Sequence, residues 1–337
     1  MMKHFIDIND LNKKEILEII DLARLFKKAH KDQAIPKILE GKSLAMIFEL
    51  PSSRTRVSFE NAMALLGGHA LYLKPGEIHV SPRESLEDTS KVLSLLSDGI
   101  LMRAWHHESI LTLVKYATVP VFNGLSDYNH PTQALADVMT IIENIDKPIE
   151  EIDLTFIGDR TNVCNSLLNI SVKLGMSFKH ISPKKYQLKE EVLNNTLKAN
   201  PSYNKKVIIS DNMKYIKNTD IIYTDLWWWI DQEVEREVRK DVFYDKYQIN
   251  IEKLKKTKNP KIKFMHCLPA NREMEVTSEV LDGPQSLAFL QTENRLFIEM
   301  ALLSHYMYQQ KKISSEEKIK KYREDICDKL KEMTGIV

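Results

Sequence analysis

Short apolar segments recur along the chain, and each is followed by a stretch in which apolar residues are spaced as on a helix. These segments are residues 43–48, 99–102, 119–122, 153–157, 221–223 and 262–265. Short apolar runs without polar alternation are typical of strands that are buried on both faces. Such strands alternate with helices when the helices cross over a parallel sheet. The sequence therefore predicts an α/β fold built on doubly wound parallel sheets.

A polar break divides this pattern near its middle. At 337 residues the chain exceeds the usual size of a single domain. The helical pattern of residues 132–145 is followed by a polar run at 146–151, and a new strand pattern begins at Asp153. We therefore predict two doubly wound parallel-sheet domains with linking helices, one over residues 1–148 and the other over residues 149–313.

A further helix is predicted at the end of the chain. Ser314 and Glu317 have the spacing of a capping box, in which each side chain bonds the backbone of the other residue. The apolar residues that follow recur at helical spacing: Ile319, Tyr322, Ile326, Leu330 and Met333. We expect this C-terminal helical extension, residues 314–337, to dock on its own subunit or on a neighbouring one, because an apolar stripe needs a surface to cover it.

Charge and cysteine content argue against several classes of protein. Lys and Arg number 48 against 47 Asp and Glu, a net charge of +1, so no overall field attracts nucleic acid or an anionic membrane. No apolar stretch approaches the roughly 18 residues that suggest a membrane span. The three cysteines lack Cys-x-x-Cys spacing, which argues against a disulfide scaffold and a zinc site. These features predict a cytoplasmic protein that binds neither nucleic acid nor membrane.

The segment Ser52-Ser53-Arg54-Thr55-Arg56 lies at a predicted strand-to-helix junction. Free backbone N–H groups and the positive end of the helix dipole favour an anion there, and hydroxyl and guanidinium groups can complete a phosphate site. The segment lacks the glycines and the lysine of a Walker A loop, so a nucleoside triphosphate is not the expected ligand. Taken alone, it is equally consistent with a serine N-cap followed by solvated arginines.

Other reactive side chains follow further predicted strands. Arg103 directly follows one strand pattern, and His130 begins a His-Pro-Thr-Gln run at a strand-to-helix turn. In the second half, Asp225 and Cys267 stand at two more strand ends. These side chains are expected to converge, because the carboxyl ends of parallel strands share one edge. Each also has a structural alternative: an exposed arginine, a turn histidine, a turn-capping aspartate or a buried thiol.

The segment Gly158-Asp159-Arg160 also follows a predicted strand and raises the question of a nucleotide cofactor. A dinucleotide site needs Gly-x-Gly-x-x-Gly so that the backbone can approach the pyrophosphate closely. The chain lacks this motif here. We therefore reject dinucleotide binding.

Taken in order, three motifs and one closing segment resemble the signature of the aspartate and ornithine carbamoyltransferase superfamily. They are Ser52-Ser53-Arg54-Thr55-Arg56, His130-Pro131-Thr132-Gln133, His266-Cys267-Leu268-Pro269 and Glu293-Asn294-Arg295. The first motif of the family usually reads Ser-Thr-Arg-Thr-Arg, and Ser53 departs from it while retaining a hydroxyl. The likeness runs nearly end to end. It implies an enzyme that moves the carbamoyl group between carbamoyl phosphate and a small amine, with neither cofactor nor metal.

The resemblance also assigns site residues. It implies that carbamoyl phosphate is bound by Ser52, Ser53, Arg54, Thr55, His79, Arg103, His130, Gln133, Cys267, Leu268 and Arg295. The residues expected to take part in catalysis are Arg103, His130, Asp225 and Cys267, and those expected to bind the acceptor are Asn162, Asp225, Trp228, Trp229 and Cys267. In such enzymes the loop that carries His79, Arg83 and Glu84 reaches the site of a neighbouring subunit, which implies a homotrimer at least.

The acceptor amine is less constrained by these motifs. Ornithine enzymes typically carry Asp-x-Trp-x-Ser-Met-Gly, whereas this chain continues from Asp225 as Leu-Trp-Trp-Trp-Ile-Asp and lacks the loop that helps to hold the amino-acid end of ornithine. Putrescine carbamoyltransferases are more similar at residues 72–78, 126–130 and 242–248 and in having a terminal helix. Putrescine is therefore the leading acceptor.

Two features of the sequence keep alternatives open. Asn162 matches an ornithine-enzyme residue that touches the amino-acid group, and Trp228-Trp229 departs from the Tyr-Gly expected in putrescine enzymes. An ornithine carbamoyltransferase with a rebuilt loop is thus the second interpretation. A third is a homologue that binds carbamoyl phosphate without catalysing transfer.

Overall fold

Two parallel sheets form the framework of the protein. The structure, a computed structural model, describes residues 3–74, 76–77, 84–198, 201–308 and 316–334. The chain divides into a large unit, Met1–Met307, and a small one, Tyr308–Val337. Both sheets belong to the large unit and all their strand pairs are parallel, which confirms the predicted α/β fold.

The first sheet lies in the N-terminal half. Its strands are β1 (Ser43–Phe48), β2 (His69–Leu73), β3 (Gly99–Arg103) and β4 (Val121–Leu125), in the order β2-β1-β3-β4. The accompanying helices are α1 (Lys13–Lys31), α2 (Ser53–Leu65), α3 (Leu86–Leu96), α4 (His107–Tyr116) and α5 (Pro131–Asn144). Strand β2 was not among the predicted strands, and its side chains are partly exposed in the structure.

The second sheet follows in the C-terminal half. Its strands are β5 (Asp153–Ile157), β6 (Ser177–Ile181), β7 (Val207–Ser210), β8 (Ile221–Thr224) and β9 (Lys263–His266), in the order β7-β6-β5-β8-β9. The helices are α6 (Asn162–Leu174), α7 (Glu190–Lys198), α8 (Arg236–Tyr247), α9 (Ile251–Lys256), α10 (Ser278–Leu281) and α11 (Ala288–Met307). The strand pattern predicted β5, β8 and β9 and missed β6 and β7.

Helix α11 connects the two halves. It follows the second sheet in sequence, yet it packs against α1, α2 and α5 of the first half. On α1 the buried residues repeat at helical spacing: Ile16, Ile19, Ile20, Ala23 and Phe26. Burial of each large apolar side chain contributes about 1.5 to 3 kcal/mol, so this packing holds α11 firmly. Side chains of α11 are thereby brought to the first sheet.

The strand orders fix where a ligand is expected. In open parallel sheets, ligands bind beyond the carboxyl ends of the strands where the strand order reverses. Those points lie between β1 and β3 in the first sheet and between β5 and β8 in the second. Arg103 and Asp225 stand at the ends of β3 and β8, beside these points, and the other motifs begin at or after the ends of β1, β4 and β9. The topology therefore brings the motif residues to the binding edge of each sheet.

The small unit contains helix α12 (Glu316–Thr334), which confirms the predicted helical extension. Ser314, the first residue of the predicted capping box, lies outside the described residues. In the predicted apolar stripe, Tyr322 is 66% exposed and Ile326 is 57% exposed. Among the helices of the described ranges, none combines the length and the apolar character that crossing a bilayer requires.

Candidate active site

A cavity of about 330 Å³ opens at the carboxyl ends of the strands of both sheets. The predicted residues that line it are Ser52, Ser53, Arg54, Thr55, Arg103, His130, Gln133, Asn162, Asp225, Trp229, Cys267, Leu268 and Arg295. They come from both halves of the large unit, as the strand-end argument requires. The structure therefore brings almost all of the predicted site residues together.

One predicted residue lies outside the described residues, and another lies away from the cavity. His79 lies outside the described residues, as does Arg83 of the same loop. Trp228 is buried and does not line the cavity. The guanidinium of Arg236 lies 5.5 Å from the ring centroid of Trp228, and these two residues line a separate groove. The predicted contact of Trp228 with the acceptor is therefore not supported by its position.

The N-terminus of α2 forms one wall of the cavity. Ser52 is the N-cap, and its side chain accepts a hydrogen bond from the backbone N of Thr55 at 3.2 Å. Further backbone N–H groups in the first turn of a helix have no partner within the helix and favour an anion. The hydroxyl of Thr55 accepts from Nη2 of Arg295 at 3.0 Å. The free N–H groups, the helix dipole and the guanidinium of Arg295 therefore all favour an anion at this wall.

Three arginines, Arg54, Arg103 and Arg295, make the cavity strongly electropositive. Among the described residues, Arg295 pairs with Glu299, whereas neither of the other two has a carboxylate partner. The Nε atom of Arg103 is buried without a hydrogen-bond partner in the described part of the chain. Burial, followed by the charges of Arg295 and Arg54, lowers the pKa of Arg103 to about 9, so the group stays protonated near neutral pH. A buried cation with an unused donor fits an anionic ligand.

His130 is the N-cap residue of α5 and lines the cavity beside the arginines. Its backbone N donates to Oγ of Ser166 at 2.8 Å, and its Nδ1 lies 3.4 Å from Oγ1 of Thr132. Burial and the neighbouring arginines lower the pKa of His130 well below its usual value. The imidazole is therefore neutral at pH 7 and can donate through one ring nitrogen.

Asp225 and Cys267 meet on the second-half side of the cavity. Sγ of Cys267 donates to Oδ1 of Asp225 at 3.0 Å, and the same oxygen accepts from the backbone N of Leu226 at 2.8 Å. Burial, followed by the charge of Asp225, raises the pKa of Cys267 well above its usual value. The thiol is thus protonated and serves as a donor, not as a thiolate nucleophile.

Asn162 lines the cavity, and its amide oxygen is a hydrogen-bond acceptor without a partner among the described residues. Its Nδ2 donates to the carbonyl oxygen of Ser126 at 2.6 Å. Its Oδ1 is buried. Because the donor end is engaged, the free oxygen suits a ligand that donates, such as an ammonium.

The tryptophan run is anchored by its first member. Trp227 is fully buried and stacks on Phe243, with ring centroids 5.6 Å apart and an interplanar angle of 18°. Its carbonyl oxygen accepts from Nη1 of Arg239 at 2.9 Å, and Arg239 also pairs with Asp159. With Trp227 fixed, Trp229 is the tryptophan of this run that lines the cavity.

Two family models match the chain. The model described as the carbamoyl-P binding domain of aspartate/ornithine carbamoyltransferase matches residues 3–143. The model described as the Asp/Orn binding domain of the same family matches residues 150–306. The chain belongs to the aspartate/ornithine carbamoyltransferase family.

Individual members of this family match over most of their length. The putrescine carbamoyltransferase of Mycoplasma capricolum is 53% identical over 321 residues, covering 92% of this chain and 87% of that protein. The anabolic ornithine carbamoyltransferase of Pyrococcus furiosus is 43% identical over 304 residues, covering 89% and 95%. The solved ornithine carbamoyltransferase structure from Pyrococcus furiosus has a TM-score of 0.86 at 41% identity, covering 90% and 97%. The protein is thus a carbamoyltransferase with two parallel α/β domains.

Several residues of this carbamoyltransferase site were not predicted. Trp105, 37% exposed, lines the cavity just beyond β3. Asp137 lies behind Gln133 and joins it to Tyr223 and Gln291. The spacing of four residues between Gln133 and Asp137 on α5 was a usable signal for that pair. No sequence pattern indicated the other two partners, which come from distant elements.

Among the described residues, no group of three or more His, Cys, Asp or Glu side chains is arranged to hold a metal ion.

Proposed function

We propose that this carbamoyltransferase transfers the carbamoyl group of carbamoyl phosphate to putrescine, giving N-carbamoylputrescine and phosphate. One observation carries the proposal. Among the described residues, the second-half walls of the cavity contribute the carboxylate of Asp225, the amide of Asn162 and the ring of Trp229, and the cation that these walls contribute, Arg295, is paired with Glu299.

A diamine suits such walls better than an amino acid does. An ammonium group can be held by a carboxylate, an amide oxygen or an aromatic face, the last worth about 1 to 2 kcal/mol. The α-carboxylate of ornithine needs a positive partner or several donors when it leaves water. Identity of 53% to a relative named putrescine carbamoyltransferase supports the same acceptor.

The acceptor amine must lose a proton before it attacks. Deprotonating an alkylamine of pKa near 10.4 at pH 7 costs about 4 to 5 kcal/mol in water. In our proposal Asp225 positions the incoming ammonium group, and the Cys267 thiol and the Leu268 carbonyl orient the freed amine. The backbone of Leu268 has a φ of 56°, and its N donates to Nδ1 of His266 at 2.8 Å, which supports a fixed direction for that carbonyl.

The amine nitrogen then attacks the carbonyl carbon of carbamoyl phosphate. Negative charge develops on the carbonyl oxygen, where Thr55, Arg103 and His130 serve as donors that are already in place. As the tetrahedral species collapses, the bond from carbon to the phosphate oxygen breaks and the phosphate leaves with a proton from the amine. Arg54 and the hydroxyls of Ser52 and Ser53 hold the phosphate throughout.

Ornithine is the second candidate acceptor. The observation that favours it is Asn162, which lines the cavity and matches the ornithine-enzyme residue named above. Its free Oδ1 accepts equally from an α-ammonium or from the distal ammonium of a diamine. Asn162 therefore supports an acceptor with a second amino group, and the wall around Trp229 favours the diamine.

We also propose a homotrimer in which the loop carrying His79 completes the site of a neighbour and α12 docks on an adjacent subunit. Apolar side chains exposed in the first half support an assembly: Val57 is 61% exposed, Leu95 85% and Leu96 73%. Light scattering should give three times the chain mass of 39.1 kDa, or a multiple of that trimer mass. A monomer at assay concentration would contradict the assembly.

Two further proposals concern organisation and compartment. We place the boundary between the two domains at residues 148 and 149, within the polar run 146–151, and the start of the terminal extension at Ser314. The cysteines of the described chain are all free thiols, which supports a reducing cytoplasm.

The acceptor is tested by measuring ureido product with 1,3-diaminopropane, putrescine, cadaverine and ornithine at one carbamoyl phosphate concentration. Putrescine should give the highest kcat/KM, and ornithine should be lower by about tenfold or more, because the carboxylate of Asp225 disfavours a second carboxylate beside it. A preference for ornithine would overturn the proposed acceptor and make Asn162 the better guide.

A further inference from the structure

Asp137 is a buried carboxylate that does not line the cavity but accepts a hydrogen bond from Gln133, which does. It lies on α5 and is 0% exposed. Its Oδ1 accepts from Nε2 of Gln133 at 2.8 Å and from Nε2 of Gln291 at 2.7 Å, and its Oδ2 accepts from the hydroxyl of Tyr223 at 3.0 Å. Three neutral donors from three elements thus meet at one carboxylate.

The side-chain amide of Gln133 is held at both ends. Its Nε2 donates to Asp137, and its Oε1 accepts from Nη1 of Arg295 at 2.9 Å. An ionised carboxylate only accepts hydrogen bonds and a guanidinium only donates them. A reversed amide would set acceptor against acceptor at Asp137 and donor against donor at Arg295. The oxygen of Gln133 is therefore fixed on the side of Arg295, and both residues line the cavity.

We propose that Asp137 is a positioning residue, which holds the Gln133 amide so that its oxygen accepts a hydrogen bond from the carbamoyl NH2 of carbamoyl phosphate. The inference rests on the proposed role of Gln133 at the carbamoyl end of the ligand. It predicts selection for an NH2 group at that end. Acetyl phosphate, which carries a methyl group there, cannot donate to the oxygen of Gln133.

The same carboxylate is linked to the acceptor side of the cavity. Oε1 of Gln291 accepts from the backbone N of His266 at 3.0 Å, immediately before Cys267. Tyr223 is on β8, two residues before Asp225. Asp137 thus links Gln133, which is proposed to bind the carbamoyl group, to the ends of β8 and β9, which are proposed to hold the amine.

The test compares dissociation constants of carbamoyl phosphate and acetyl phosphate, measured by tryptophan fluorescence at pH 8 without any amine. Burial raises the pKa of Asp137 to about 6, so the carboxylate is ionised at that pH. The parent should bind carbamoyl phosphate about tenfold more tightly than acetyl phosphate. Asp137→Asn should reduce this preference, mainly through weaker binding of carbamoyl phosphate, because asparagine can turn a donor toward Gln133 and leave the amide held at its Arg295 end alone.

Two companion variants separate positioning from general damage. Gln133→Ala should lose the same preference, and adding Asp137→Asn to it should change the preference no further, because Asp137 acts through Gln133. Tyr223→Phe removes a donor to the same carboxylate and leaves its bond to Gln133 intact. It should lower thermal stability as Asp137→Asn does while keeping the preference within about threefold of the parent.

The proposal is overturned if folded Asp137→Asn keeps the parent preference for carbamoyl phosphate. It is likewise overturned if the double variant loses more of this preference than Gln133→Ala alone does. It is also overturned if Tyr223→Phe loses the preference as fully as Asp137→Asn does. Should Asp137→Asn fail to fold, Asp137→Ser is judged by the same outcomes. Because no amine is present in these measurements, their result does not depend on whether putrescine is the acceptor.

Discussion

The thiol of Cys267 donates a hydrogen bond to Oδ1 of Asp225 at 3.0 Å, across the ends of strands β9 and β8. Both residues are buried, and both line the cavity. A protonated thiol beside a carboxylate holds one carboxylate oxygen in place, and the carboxylate in turn keeps the thiol protonated. The pair can therefore orient an amine without a covalent step.

Replacement of Cys267 tests this orienting role. Cys267→Ser keeps a hydroxyl donor to Asp225 and should retain most of the parent kcat/KM for the amine. Cys267→Ala removes the donor and should lower that constant by about tenfold, the value of one hydrogen bond to a charged group. Steady-state kinetics with the amine varied measures both. Equal activity of Cys267→Ala and the parent would contradict the role of the thiol.

Arg103 is expected to be the most sensitive donor of the site. Arg103→Ala should lower kcat by about 100-fold or more, because the developing negative charge on the carbamoyl oxygen loses a preplaced guanidinium. Arg24→Ala, an exposed arginine on α1, serves as the matched control and should leave kcat unchanged. A folded Arg103→Ala enzyme that turns over at the parent rate would remove the carbonyl-polarising scheme.

Trp228 and Trp229 give a paired test of how the cavity binds the acceptor amine. Trp229→Ala should raise KM for putrescine by about tenfold, since a cation–π contact is worth about 1 to 2 kcal/mol. Trp228→Phe is the control, because Trp228 is buried away from the cavity and its replacement keeps an aromatic ring. It should leave KM near the parent value. If both variants changed KM equally, the special role of Trp229 would be lost.

The buried pair of Glu299 and Arg295 predicts a pH-dependent stability. Burial raises the pKa of Glu299 from its ordinary value of 4.5 to about 7, although Arg295 at 2.6 Å opposes the shift. The folded protein therefore holds this proton more tightly than the unfolded chain, and the resulting stability is present below pH 4.5 and lost as the pH rises through 7.

Urea denaturation of the parent and of Glu299→Gln at pH 5 and pH 8 measures this effect. Relative to the variant, the parent should lose about 2 to 3 kcal/mol of unfolding free energy between the two pH values. A difference between parent and variant that is the same at both pH values would show that Glu299 does not titrate in this range.

The parts of the site that could be predicted are those that depend on sheet topology. Arg103 and Asp225 each stand at a strand end next to a reversal of strand order, so a correct assignment of strands was enough to place them at one cavity. Strands β2 and β7 were missed although each contains a short apolar run, and both are partly exposed in the structure, unlike the fully buried β8.

Side-chain direction and tertiary hydrogen bonding could not be predicted from the sequence. Trp228 and Trp229 are adjacent, yet Trp229 is the one of the two that lines the cavity, and no local pattern distinguishes them. Asp137 receives hydrogen bonds from elements far apart in the chain, so no local pattern marks it. The motifs thus identified the ligand-facing residues and not the residues that hold them in place.

The most direct test of the acceptor assignment is a competition in one vessel. Equal concentrations of putrescine and ornithine compete for limiting carbamoyl phosphate, and mass spectrometry counts N-carbamoylputrescine and citrulline. The product ratio equals the ratio of the two kcat/KM values, which is the quantity that defines specificity. Our proposal predicts at least about tenfold more N-carbamoylputrescine, because the carboxylate of Asp225 and the ring of Trp229 suit a second ammonium better than the α-carboxylate of ornithine. An excess of citrulline would contradict it.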